Sequence, residues 1–160
     1  LRTEKTAGAP GRFVFCMVRT RRYNIAMQID SPHHPLTPID LIGGEAAVHD
    51  LVTRFYDLMD EDPDYFAIRK LHPASLHGSR EKLYKFLVGW LGGPPLYESE
   101  FGHPRLRARH LPYAIATTER DQWLACMKQA MHDTNVNAEL RARLEQSFFK
   151  TADWMRNTEG

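Results

Sequence analysis

Val48, Leu51, Val52, Phe55, Tyr56 and Met59 recur at i, i+3, i+4, i+7, i+8 and i+11, and this run commits the chain to an amphipathic helix with one continuous apolar face. Asp62-Pro63-Asp64 ends it. A short helical turn is predicted over 65–70, stopped before His72-Pro73 because the residue ahead of a proline avoids the α region. From about Ser79 the same spacing returns in Leu83, Phe86, Leu87, Trp90 and Leu91, until Gly92-Gly93-Pro94-Pro95 stops it. A long loop rich in glycine and proline is expected next. Gly102-His103-Pro104 then opens a short helix with proline at its first position, carrying Leu106 and His110 on one face. Pro112 is expected to restart a long helix to about Asp133, with Ile115, Trp123, Met127, Ala130 and Met131 inward. The last helix, about Ala138 to Arg156, buries Leu140, Leu144, Phe148, Thr151 and Met155, and Trp154 reads as packing. No alternating run competes with these helices. The fold class is all-α.

Charge separates the ends of the chain more than its total of +1 suggests. Residues 1–26 carry six Arg or Lys against the single acid Glu4, so the remainder has a balance of −4. A slightly acidic body argues against nucleic acid as a partner, since neutralising phosphates needs a basic face. The longest unbroken apolar stretch, Phe13 to Val18, is far too short to span a bilayer. Ser31-Pro32-His33-His34-Pro35-Leu36-Thr37-Pro38 cannot be helical and reads as a linker, with His33-His34 solvated within it. Two domains of different character follow: a basic, disordered N-terminal extension over 1–36 and a folded body over 37–158. The extension reads as chain ahead of a start at Met27 or Met17, or as an Arg-rich, acid-poor transit-like leader. Cys16 and Cys126 are too isolated for a disulfide framework or a zinc site, so a reducing, cytoplasmic setting is expected.

Two features resist a plain helical bundle. Bundles prefer short connections, whereas here a long loop is followed by only a stub of helix. The apolar faces also carry Tyr56, Trp90 and Trp123, whose O–H and N–H groups need partners when buried. A polar ligand wedged between the helices is one such partner.

The segment Gly102-His103-Pro104-Arg105-Leu106-Arg107-Ala108-Arg109-His110-Leu111-Pro112-Tyr113 resembles the proximal segment of group II truncated haemoglobins, small globins built as a two-over-two helical sandwich. The likeness continues through Glu119-Arg120-Asp121-Gln122-Trp123-Leu124-Ala125-Cys126-Met127 and reaches back through Trp90-Leu91-Gly92-Gly93-Pro94 to Arg54-Phe55-Tyr56. It covers about residues 38–157. The resemblance implies haem b (iron protoporphyrin IX) as cofactor, with His110 as the metal's protein ligand. It further implies Tyr56, Trp123 and His72 as distal groups around a diatomic ligand, although tyrosine is common where His72 stands. Phe55, Ser79, Leu83, Phe86, Leu87 and Leu106 would line the haem pocket, and Lys82, Tyr97 and Arg109 match positions that reach the haem propionates. Gly43-Gly44 and Gly92-Gly93 match glycines that let shortened helices turn.

The chemistry suits those residue types. A neutral imidazole leaves one iron position open, and a hydrogen bond at its other nitrogen fixes the tautomer. Guanidinium groups suit anionic propionates; Arg109 is the candidate, whereas Arg105 and Arg107 read as a solvated basic strip. Tyr O–H, Trp N–H and imidazole can each donate to a polarised diatomic ligand. Read without the resemblance, His110 is a cap or surface residue, Tyr56 and Trp123 are core residues with satisfied tips, and Cys126 is a small core hydrophobe.

Three functions follow. The first is reversible binding of oxygen and other diatomic ligands at a five-coordinate haem. The second is turnover on the same scaffold, either nitric oxide dioxygenation or a peroxidase-like reaction. No flavin or nicotinamide motif is present, so this would need a separate reductase. The third is a cofactor-free helical interaction domain. Either a monomer or a homodimer is compatible with the sequence.

Overall fold

The computed structural model describes residues 35–159, and the regular elements among them are all helical. The expectations placed on the basic head, Cys16 and His33-His34 lie outside the described residues. Helix α1 (Pro38–Ile42), which the periodicity did not reveal, starts on a capping box. Thr37 N–H donates to the Asp40 carboxylate at 2.9 Å, Asp40 N–H returns to the Thr37 hydroxyl at 3.4 Å, and Pro38 sits where no N–H is required. The expected Pro-rich linker therefore ends as a helix start. Gly43, at φ +110°, turns the chain directly into α2 (Gly44–Glu61).

Helix α2 buries Val48, Leu51, Val52, Phe55, Tyr56 and Met59, the whole predicted face. A 3₁₀ turn (Pro63–Tyr65) and α3 (Phe66–Arg69) occupy the expected short helical stretch. Helix α4 (His77–Trp90) follows. Where α4 ends, Gly93 N–H donates to Val88 O at 2.9 Å, and a Cβ on Gly93 would stand 2.6 Å from Ile39 Cδ1. Only glycine lets the backbone run this close to α1. Helices α7 (Thr117–Asp133) and α8 (Ala138–Met155) complete the frame. Helix α2 contacts both α4 and α7, and α7 contacts α8, so two layers share one core. No helix of the described residues is long and apolar enough to cross a membrane.

Four expectations are corrected. The long loop after α4 contains helix α5 (Leu96–Phe101). Pro94-Pro95 stops one helix but also presets the backbone for the next, and Tyr97 supplies a buried anchor. The short helix α6 (Leu106–His110) begins two residues after Pro104, from Arg105 in a left-handed conformation at φ +43°. Pro112 does not restart the long helix. Residues 112–116 are irregular, and α7 begins at Thr117, where the Glu119 carboxylate accepts from Ala116 N–H at 3.0 Å. Ile115 is buried as expected, but from that connecting segment. Trp154 is 60% exposed and so is not core packing.

Candidate functional site

Helix α6 presents His110 at its C-terminal end. The His110 Nδ1 lies 2.7 Å from Leu106 O, and since a carbonyl only accepts, Nδ1 carries the ring proton. In the neutral ring this leaves the lone pair on Nε2, the arrangement a metal ligand requires. His110 and Leu106 are both half-buried.

His72, just past α3, repeats the arrangement. Its Nδ1 donates to Ile68 O at 2.8 Å, leaving the far nitrogen as the lone-pair side. The His72 ring meets the Tyr56 ring edge-on at 5.7 Å, and Tyr56 meets Phe55 at 5.1 Å. Phe55 in turn touches Trp123 at 5.5 Å. Tyr56 is buried, and the Arg80 guanidinium lies 5.7 Å from its ring. Burial pushes the phenol pKa well above its ordinary value against the pull of Ser79 and Arg80, so the O–H stays protonated.

The His72 pKa is displaced downward. Burial is the main cause; the bond to Ile68 O opposes it, and the nearby charges of Arg69 and His110 add to it. The folded protein favours the neutral ring, so this group's contribution to stability is present above the unfolded pKa of 6.5 and is lost as pH falls from there through the lower folded pKa. Denaturant titrations from about pH 7 down to about pH 5 should show a shallower loss of stability in His72→Gln than in the parent. Identical slopes would remove His72 from the acid response.

Helices α4, α5 and α6 meet along a third line. Phe86 contacts the buried Tyr97 edge-on at 6.3 Å, and the Arg109 guanidinium lies 5.9 Å from the Tyr97 ring. Lys82 Nζ lies 5.7 Å from the Phe101 ring. Lys82, Tyr97 and Arg109 are therefore brought to one edge, two of them cationic. Leu83 and Phe86 are half-buried beside the core, while Leu87 and Phe55 lie wholly inside it at 1% and 0% exposure.

Sequence reasoning missed several supports. Gln122 Oε1 accepts from Ala67 N–H at 2.9 Å and Ile68 N–H at 3.3 Å, capping α3 and so seating the carbonyl that holds His72. Arg69 ties the following loop through Asp60 at 2.7 Å, Pro73 O and Ala74 O. Arg80 is fixed by Asp57 at 2.5 Å and Thr53 O at 2.9 Å. Arg107 is not part of a solvated strip, because it donates to Trp154 O and Arg156 O at the end of α8. None of these partners is adjacent in sequence, and no local pattern marks them. Cys126, buried as expected, donates to Phe55 O at 3.3 Å, and burial pushes its thiol up to about 12.

The donor set fits the haem that the resemblance implies: the His110 imidazole held through Nδ1, half-buried apolar side chains for a flat macrocycle, and cations at one edge for its carboxylates. A groove of about 210 Å³ between α7 and α8, lined by Leu124, Met127, Lys128, Met131, Phe148 and Phe149, holds no imidazole.

The profile of the bacterial-like globin family matches residues 37–157. The group 2 truncated hemoglobin YjbI of Bacillus subtilis is 40% identical over 114 residues, 71% of this chain and 84% of the relative. Among solved structures, the group II 2-on-2 hemoglobin of Agrobacterium tumefaciens is 44% identical, with a TM-score of 0.75 over 78% of this chain and 96% of that one. A truncated oxygen-avid haemoglobin from Bacillus subtilis is 39% identical, with a TM-score of 0.70 over 76% of this chain and all of its own.

Proposed function

The chain belongs to the bacterial-like globin family, in its group II truncated branch, and on that premise we propose that it is a haem b protein that reversibly binds oxygen and other diatomic ligands, with His110 as the metal's protein ligand. The observation that carries this reading is the bond from His110 Nδ1 to Leu106 O, which directs Nε2 to be the ligating nitrogen of the ring. Haem, when bound, supplies an iron with one coordination position open to a diatomic gas. The rest is done by this chain's own side chains. Tyr56 stays protonated and offers its O–H, and Trp123 offers its N–H. His72, with its Nδ1 proton held by Ile68 O, has its far ring nitrogen left to act as an acceptor. Lys82 and Arg109 supply charge for the propionates, and Tyr97 orders that edge. The description of the Bacillus subtilis relative as oxygen-avid supports oxygen as the ligand.

One spectrum tests the proposal. The full chain offered haem should give a red protein with a strong Soret band, and His110→Ala should lose or shift it. A folded, colourless wild-type chain that takes up no porphyrin refutes the reading.

A further inference from the structure

Helix α6 spans five residues and buries none of its side chains fully. Helices this short do not persist alone in water, so something outside α6 must hold it. The far end of α8 does so. Asn157 makes four hydrogen bonds to the segment that begins at His110. Its Nδ2 donates to His110 O at 3.1 Å and to Tyr113 O at 2.8 Å. Its Oδ1 accepts from Ile115 N–H at 3.1 Å, and its own N–H donates to Ile115 O at 3.0 Å. Two carbonyls that only accept and one N–H that only donates dictate a single orientation of this amide. Arg107 adds a second tether, donating to Trp154 O and, at 3.2 Å, to Arg156 O, while its guanidinium lies 5.8 Å from the Trp154 ring.

The His110 ring is already locked to Leu106 O. Its remaining freedom is the placement of α6 as a body, and the carbonyl of His110 itself is what Asn157 grips. We infer that Asn157 is a positioning residue, which sets the reach and tilt of the His110 imidazole and thereby how firmly the cofactor is retained. This rests on His110 being the metal's ligand.

Asn157→Asp is the sharpest test, because it keeps size and the Oδ1 acceptor but sets a carboxylate oxygen against two carbonyls. In the full-length, haem-loaded protein, the iron–imidazole stretching band of the ferrous form should shift or broaden. Haem transfer to an acceptor apoglobin should quicken about tenfold or more. Amide exchange at Leu111 and Tyr113 should rise while α2 and α7 stay protected. A merely structural role would loosen α2 and α7 together and leave the band in place. Arg107→Gln decides the matter if Asn157→Asp does not fold, and should move the same readouts in the same direction. A wild-type band and transfer rate in the folded variants overturn the inference. If the wild-type chain takes up no haem, the proposed function falls instead. Amide exchange still reads the tether in that case, and unchanged exchange overturns it.

Discussion

Tyr56→Phe should speed oxygen release by about ten- to a hundredfold, measured by stopped-flow displacement. The phenol is buried and held protonated, so it has an O–H proton to offer a ligand. A hydrogen bond to a charged acceptor contributes about 1.5–3 kcal/mol, and each 1.36 kcal/mol is tenfold in rate. Phenylalanine keeps the ring contacts with Phe55 and His72, so the change removes little but the donor. Trp123→Phe should act in the same direction. Its ring lies between Phe55 and Phe148, and the smaller aromatic leaves a modest void. Release rates that stay at the parent value in both variants would exclude phenol and indole as ligand donors. A slow-releasing pocket would make a poor bulk carrier.

Phe55→Ala should cost about 3–5 kcal/mol of folding stability, read from denaturant midpoints at constant slope. Phe55 is fully buried, its ring touches Tyr56 and Trp123, and its carbonyl accepts from Cys126 across the α2–α7 contact. Truncation leaves a cavity at the point where the two layers meet, and the fixed backbones of α2 and α7 limit collapse around it. Because Tyr56 and Trp123 flank the same void, ligand release should change as well. A loss below about 1 kcal/mol would mean that the core closes over the gap and that Phe55 is not its hub.

The legible part of this protein is the part written in short-range spacing. The apolar face of α2 is buried at every predicted position because a helical period needs no knowledge of the rest of the chain. The glycine and proline stops likewise fell where α2 and α4 end. Pro112 satisfies the local rule for a helix start, yet α7 begins at Thr117, because Ile115 and Ala116 are drawn instead to Asn157 and Glu119. Helix α5 was missed because glycine and proline flank a six-residue helix too short to show a period. Of the site, the resemblance singled out His110, Tyr56, His72 and Trp123, but not what holds them.

Local pattern in the chain was enough to determine an all-helical body and the inward faces of its long helices, since each depends on neighbours a turn or two away, whereas the candidate haem residues came from the family resemblance alone. Tertiary structure alone decided that Gln122 seats the helix ahead of His72, that Arg107 serves the end of α8 rather than solvent, and that Asn157 grips His110 from 47 positions away. A hydrogen bond between distant segments depends on where folding brings their backbones, and no spacing along the chain encodes that meeting.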